Sequence, residues 1–285
     1  MSRWRRLCKI WVSRFYRFGT GHQRNKCVAV LCYHGIASGR YQDQVDKDLF
    51  AEQMAYLAVN YEVICIDEAL KWLQDPRPSQ RDGRQKVVLT FDDGYRNLLT
   101  NAMPILHKYR LPATVFVIPG LVGQLPPWKA NAPFEERRLL SWDEIQTLLN
   151  NGWSVGSHTW SHQDLTTVSP TEAERELRYS KEVLEDRLGK AVHYIAYPFG
   201  RYNARVLKLT KEAGYERAFS SRYGREKAGG FSYVLKRILI EPEDTLAEFK
   251  LKLEGGFDWL GLCRLRKWSW RSFPTIVNGR SGTRL

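Results

Sequence analysis

Residues 86–94 read KVVLTFDDG and join a mostly apolar run to two adjacent carboxylates. The run Lys86–Phe91 predicts a fully buried strand, and Asp92 and Asp93 follow its end. Two neighbouring carboxylates would repel each other if both were desolvated. A metal cation would relieve that repulsion and give the two side chains different tasks. The alternative is an ordinary strand end followed by an Asp-Gly turn.

Strand-like and helix-like patterns alternate on both sides of this stretch. Strands are predicted at residues 28–33, 61–66, 86–91, 113–118, 152–156, 192–196, 215–219 and 235–240. Helices are predicted at residues 50–60, 97–109, 141–150, 170–188, 204–213 and 246–253. This alternation favours an α/β fold with a parallel sheet, open or closed into a barrel. Reactive groups should then collect at the carboxyl ends of the strands.

Three further strand ends carry candidate functional groups. His158 and His162 are four residues apart and follow the strand at 152–156, a spacing that suits two imidazole ligands of one metal. Phe199 follows the strand at 192–196, in either an ordinary turn or a loop that presents a backbone amide to an oxyanion. A lone histidine such as His34 is usually structural, but it ends the first strand and would share the same rim.

These motifs, in this order, resemble the polysaccharide deacetylase family, the NodB-homology domain of carbohydrate esterase family four. The matching stretches are TFDDG at 90–94, HTWSH at 158–162 and YPFG at 197–200, and the resemblance covers roughly residues 27–253. The opening CYHG at 32–35, followed by Phe50 and a helix, is similar to a branch that acts on poly-N-acetylglucosamine and related cell-envelope glycans. The resemblance implies a deformed (β/α) barrel in a single domain.

The resemblance also implies a set of residue roles. Asp93, His158 and His162 resemble the residues that hold a divalent metal, often zinc, in this family. Asp92 resembles the general base that takes a proton from the attacking water. The backbone N–H of Phe199 resembles the oxyanion donor, and Tyr197 is expected beside it in the substrate site.

This chain departs from the family pattern at two places. Many members have an arginine where this chain has Ala196, and that arginine orients the catalytic base. Many also have a late Leu-x-Leu-His that protonates the leaving amine, whereas no histidine follows His193 here. We therefore expect another group to tune Asp92, and we expect His34 to act as the acid.

The charge of the chain is concentrated at its ends. The 285 residues carry a net charge of +13, yet residues 1–26 hold eight basic and no acidic residues, and residues 264–285 hold six and none. The segment between them is therefore close to neutral. A nucleic-acid-binding domain would spread basic residues over its folded surface, so no specific nucleic-acid partner is expected.

The two ends have the composition of membrane-surface segments. On a helical wheel, six apolar residues between Trp4 and Phe18 fall within a wedge of about 100°, with arginine and lysine opposite. The tail after residue 253 also interleaves tryptophan with basic residues. Both termini are expected to bind an anionic membrane surface. The alternative is that the apolar stripe packs on the barrel.

Composition also predicts the organisation and the compartment. The expected division is a basic amphipathic segment at 1–26, a catalytic domain at 27–253 and a basic, tryptophan-rich tail at 254–285. The five cysteines form no metal-binding spacing and suit a reducing compartment. Arginines interrupt any apolar signal-peptide core near the N-terminus. The expectation is a cytoplasmic protein, peripheral at the inner face of the membrane.

The sequence thus favours a metal-dependent hydrolase that removes N-acetyl groups from an amino sugar in a polysaccharide or a lipid-linked saccharide. One alternative is a deformylase acting on a lipid-linked amino sugar. Another is a catalytically silent glycan-binding module on the membrane, although Asp92 argues against it because binding alone needs no base. The long loop at 119–138 is expected to shape the substrate groove through Trp128 or Phe134.

Overall fold

The computed structural model describes residues 12–13, 27–39, 41, 43–75, 84–128, 133–230 and 232–262. Its strands are β1 (Cys27–Tyr33), β2 (Gly35–Ala37), β3 (Gln44–Asp46), β4 (Glu62–Val63), β5 (Lys86–Phe91), β6 (Thr114–Val117), β7 (Ser154–Ser157), β8 (Tyr194–Ala196), β9 (Arg217–Phe219), β10 (Glu226–Lys227), β11 (Val234–Leu235) and β12 (Ile238–Leu239). Its α-helices are α1 (Lys47–Asn60), α2 (Ile66–Gln74), α3 (Met103–Tyr109), α4 (Phe134–Arg137), α5 (Trp142–Asn150), α6 (Pro170–Leu188), α7 (Ala204–Glu212), α8 (Leu246–Leu253) and α9 (Trp259–Leu262). Leu98–Ala102 forms a π-helical turn, and Pro119–Leu121 and Pro198–Gly200 form 3₁₀ turns.

The main sheet is a nearly closed barrel of parallel strands. Strands β1, β5, β6, β7, β8, β9 and β11 lie side by side in that order, and β12 pairs with the other edge of β1. Only Lys236 and Arg237 separate β11, at one edge of the sheet, from β12, which pairs with β1 at the other edge. This arrangement confirms the expected α/β fold of the deformed-barrel type.

The strands that carry the site are buried along their whole length. Every residue of β1 and of β5 is buried, as expected for parallel strands that are covered on both faces. Val28 and Val30 pack in one apolar cluster with Phe116 of β6, whereas Ala29 and Leu31 pack in a second, larger cluster with the helices. The period of two along β1 therefore separates the barrel interior from the helical layer.

Helix α2, which the sequence patterns did not predict, closes the amino-terminal end of the barrel. Its Ala69 and Leu73 are buried in the same cluster as Val28. The prediction of a strand at 61–66 is wrong beyond Val63 because the chain turns into a helix there. The Glu68 carboxylate accepts a hydrogen bond from the Cys65 N–H at 3.2 Å, which stabilises the helix start.

The packed body extends past residue 253, where the sequence placed the start of a tail. Phe257 is 2% exposed, and Asp258 accepts a hydrogen bond from Arg225 at 2.8 Å. The Trp259 indole donates to the Ser13 hydroxyl at 3.0 Å. None of the helices within the described ranges is long and apolar enough to cross a membrane. The rest of both predicted membrane-binding tails lies outside the described residues, so their membrane binding stays a prediction.

Candidate active site

Loops with polar side chains meet at the carboxyl ends of the barrel strands. Asp92 follows β5, His158 follows β7 and His34 follows β1. Four of the five non-glycine residues with positive φ in the described part of the chain lie in these loops. These four residues are Asp93, Thr159, His162 and Phe199. Such backbone conformations are unfavourable and concentrate at functional sites, so this rim is the first candidate for one.

Asp93, His158 and His162 form a compact set of metal-ligating groups. One ligand atom from each lies within 4.8 Å of the others. The Nε2 atoms of His158 and His162 are each 3.5 Å from Asp93 Oδ1. The structure therefore brings together the three residues that the resemblance implied as metal ligands.

The electrostatics of this set fit a bound cation. Burial lowers the pKa of His158 to about 4 and that of His162 well below its usual value, so both imidazoles are neutral. His158 Nδ1 donates to the Ala196 carbonyl at 2.7 Å, because that oxygen can only accept, and Nε2 keeps its lone pair toward Asp93. Among the described residues, Asp93 Oδ1 is buried without a hydrogen-bond donor. A divalent metal would supply the missing partner for this oxygen.

The loop between the two histidines is held by a buried carboxylate on α6. Glu176 is 1% exposed and accepts hydrogen bonds from the Ser161 N–H at 2.8 Å and the Ser161 hydroxyl at 2.6 Å. The His162 N–H donates to the Thr159 hydroxyl at 3.2 Å. These contacts stabilise the positive φ angles of Thr159 and His162, and so direct the second imidazole at Asp93.

Asp92 lies beside the metal-ligating set and is held by an arginine. It is 3% exposed, and Arg237 donates to Oδ1 and to Oδ2 at 2.7 Å each. The Cys32 thiol lies 3.5 Å from Oδ2 as a further donor. Burial by itself would raise the pKa of Asp92, but the Arg237 guanidinium outweighs it and holds that pKa well below the usual range. The carboxylate is therefore ionised and oriented.

Sequence reasoning did not find Arg237. It lies in the two-residue break between β11 and β12, and its Nε donates to the Ser220 carbonyl at 3.2 Å. This chain has Ala196 where the resemblance implied an arginine that orients the base, and it is Arg237 that contacts both oxygens of Asp92. The available signal was a basic pair inside the apolar run 234–240, since a buried arginine requires an anionic partner.

The turn after β8 brings Phe199 to the site and turns Tyr197 away from it. The Phe199 ring lies edge-on to His162 with centroids 4.9 Å apart, and its φ of 57° directs the backbone of this turn. The Tyr197 side chain is 0% exposed and donates its hydroxyl to Thr210 on α7 at 2.9 Å. The expected substrate contact through the Tyr197 side chain is therefore not supported, because that side chain packs in the core.

His34 lies at the edge of the same cluster. It is partly exposed. The Asp92 N–H donates to the Tyr33 carbonyl at 2.9 Å, and His34 is the next residue after Tyr33. The structure thus places His34 at the same rim as Asp92.

An aromatic wall that the sequence only partly predicted stands beside His162. The Trp128 ring lies 4.6 Å from the His162 ring, centroid to centroid, so the predicted groove loop does reach the site. The Trp128 indole donates to the Tyr95 hydroxyl at 2.9 Å, and that hydroxyl donates to Asp43 at 2.5 Å. The side chain of Phe134, the other candidate, lies outside the described residues.

Comparisons with known proteins identify the family. The sequence profile described as Polysaccharide deacetylase matches residues 79–218. The Bacillus subtilis (strain 168) protein named "Putative polysaccharide deacetylase YxkH" is 30% identical over 227 residues, which cover 79% of this chain and 75% of that protein. The poly-beta-1,6-N-acetyl-D-glucosamine N-deacetylase of Staphylococcus aureus (strain MRSA252) is 30% identical over 183 residues, which cover 61% of this chain and 60% of that protein.

A solved structure shows the same architecture. The deacetylase PplD of Streptococcus pyogenes, in complex with acetate, superposes with a TM-score of 0.68 at 26% identity, covering 80% of this chain and 98% of that one. Its fold matches the nearly closed barrel that brings Asp93 close to the two histidines. On this evidence the chain belongs to the polysaccharide deacetylase family, whose members are hydrolases that act on the amide bonds of N-acetylated amino sugars.

Proposed function

We propose that this protein removes N-acetyl groups from an amino sugar in a polysaccharide or a lipid-linked saccharide. The observation that carries the proposal is the juxtaposition of the Asp93, His158 and His162 set with an ionised Asp92 held by Arg237. The name of the staphylococcal relative supports N-acetylglucosamine polymers as the substrate class.

The three ligating residues would hold a divalent metal, for which we propose zinc. One carboxylate and two neutral imidazoles are a ligand set found in zinc hydrolases. When bound, the metal would polarise the amide carbonyl and lower the pKa of the attacking water. The pairing of Asp92 with Arg237 leaves Asp93 as the carboxylate that faces both histidines.

Separate side chains of the protein would accept and donate the protons of the reaction. Asp92 accepts the proton of the attacking water, and Arg237 holds both carboxylate oxygens so that the base stays ionised and aimed. The backbone N–H of Phe199 is proposed to donate to the developing oxyanion. His34 is proposed to donate a proton to the departing amine, since it lies at the rim and no histidine follows His193 in this sequence to supply the family's late acid.

The direct test is metal-dependent release of acetate. Purified protein is assayed with β-1,4- and β-1,6-linked N-acetylglucosamine tetramers and with a lipid-linked N-acetylhexosamine, before and after chelation and after zinc is restored. We expect acetate release that is lost on chelation and recovered with zinc. Formate release from N-formylated counterparts would identify the deformylase instead. Stoichiometric glycan binding with no release of either acid would identify the silent module.

The His34→Ala protein is expected to lose about 10²-fold in kcat on sugar amides because it lacks the proposed acid. An activated ester such as 4-nitrophenyl acetate, whose phenolate leaves without a proton, should be hydrolysed at nearly the wild-type rate. The control is His193→Ala, since His193 is 46% exposed and pairs with Glu216 away from the site. Equal losses on both substrates would contradict the acid role, and so would near-normal turnover of the sugar amide.

A further inference from the structure

The Trp128 ring lies beside the metal-ligating set. Its ring contacts the imidazole of His162, with centroids 4.6 Å apart and a tilt of 43°. The ring remains partly exposed. It therefore offers an apolar surface next to the place where the amide bond is attacked.

The position of this ring is fixed by two residues from other parts of the barrel. Tyr95, which is 0% exposed and follows Gly94 directly, accepts from the Trp128 indole at 2.9 Å. The Tyr95 hydroxyl in turn donates to Asp43 Oδ2 at 2.5 Å. The two hydrogen bonds that link Asp43, Tyr95 and Trp128 fix the position of the indole nitrogen.

The loop that carries Trp128 is itself tied down at both ends. Gly120 donates its N–H to the Trp160 carbonyl at 3.0 Å, within the histidine loop. At the other end, Asn97 donates to the Glu136 carboxylate at 2.8 Å, and Gln44 donates to the Glu136 carbonyl at 2.8 Å. The ring is thus pre-organised by the protein, which lowers the entropic cost of binding a ligand against it.

We propose that Trp128 is the stacking platform for the sugar ring whose N-acetyl group is removed, and that Tyr95 and Asp43 are positioning residues for it. This inference rests on the proposed function. One face of a pyranose carries C–H groups that pack on an indole, while its hydroxyls remain free for other contacts. An aromatic wall with few converging polar groups is the usual composition of a small-molecule site.

The test compares kinetics with equilibrium binding in the zinc-loaded protein. KM and kcat are measured with the β-1,6- and β-1,4-linked N-acetylglucosamine tetramers. Binding of the fully deacetylated tetramers, which are not turned over, is measured by calorimetry. The variants are Trp128→Ala, Trp128→Phe and Tyr95→Phe, and zinc content is determined for each. The control is Trp72→Ala, because Trp72 is also partly exposed but packs on Lys86 at the opposite end of β5.

Trp128→Ala is expected to raise KM and to weaken tetramer binding about tenfold, with kcat and zinc content changed much less. Trp128→Phe should recover most of this loss, because a ring is restored. Tyr95→Phe should fall between them, since it frees the indole without removing it. Trp72→Ala should match wild type.

Three results would overturn the inference. If the wild type is active but KM and tetramer binding are unchanged in Trp128→Ala, the platform is refuted while the proposed function stands. A fall in kcat with lost zinc and unchanged KM would reduce Trp128 to a support for His162. If the wild type neither releases acetate nor binds any tetramer, the proposed function fails and the platform fails with it.

Discussion

The Asp92→Asn protein is expected to deacetylate its substrate about 10²- to 10⁴-fold more slowly than wild type. In the proposed mechanism the carboxylate of Asp92 takes the proton of the attacking water, and an amide of the same shape cannot do so. Asp92 is not one of the three residues that cluster as metal ligands. Zinc content should therefore stay at the wild-type level, which separates the loss of a base from the loss of a ligand.

The control for this prediction is Asp186→Asn, since Asp186 is exposed on α6 and takes no part in the site. Both proteins are assayed for acetate release and for bound zinc, at a temperature where both are folded. A rate for Asp92→Asn within about threefold of wild type would remove Asp92 as the base. Loss of zinc together with activity would make Asp92 a ligand, and the assignment of Asp93 would need revision.

Local patterns predicted the parts of the fold whose signals lie within a few residues of one another. Helix α6 begins at Pro170, where the Ser169 hydroxyl accepts from the Glu172 N–H, and ends at Gly189, whose φ is +62°. The run KVVLTF predicted β5 with the bounds observed. These signals are covalently local, so the sequence carries them without knowledge of the tertiary fold.

The metal-ligating set could be predicted because its ligands lie in the two loops that follow β5 and β7. Asp93 after β5 and His158 after β7 were expected to meet once the strands were parallel, and they do. The orienting arginine was not predicted, because Arg237 approaches Asp92 from 145 residues away in sequence. Arg237 reaches Asp92 because the strand is interrupted at residues 236–237, between β11 and β12. The apolar periodicity of the sequence does not predict such an interruption.

The aromatic wall was only partly predicted, for a similar reason. Trp128 was predicted to shape the groove because its loop is long, yet Tyr95 and Asp43 gave no signal of their own. A tyrosine after Asp-Asp-Gly resembles an ordinary core residue, and an aspartate before a short strand resembles a turn. Their function depends on the hydrogen bonds that join three distant loops, and only the packed structure reveals them.

The Arg237→Met protein is expected to lose about 3–5 kcal/mol of unfolding free energy. Asp92 would keep a buried charge without its partner, and the methionine would fill the space without neutralising it. The measurement is urea unfolding followed by fluorescence. The control is Arg201→Met, because Arg201 pairs with Asp164 at 2.7 Å but its side chain is 48% exposed, so at most about 1 kcal/mol should be lost.

The double variant Asp92→Asn/Arg237→Met separates the holding of the base from its chemistry. With both charges removed, neither partner is left buried and unpaired, so stability should return to within about 1 kcal/mol of wild type. Turnover should nevertheless stay as low as in Asp92→Asn, because the base is still missing. If the two single losses of stability simply add in the double variant, the two side chains are not coupled and Arg237 does not hold the base. If stability returns while turnover does not, Arg237 holds the charged base in place and Asp92 performs the chemistry. The break between β11 and β12 then has a function, because it brings Arg237 to Asp92.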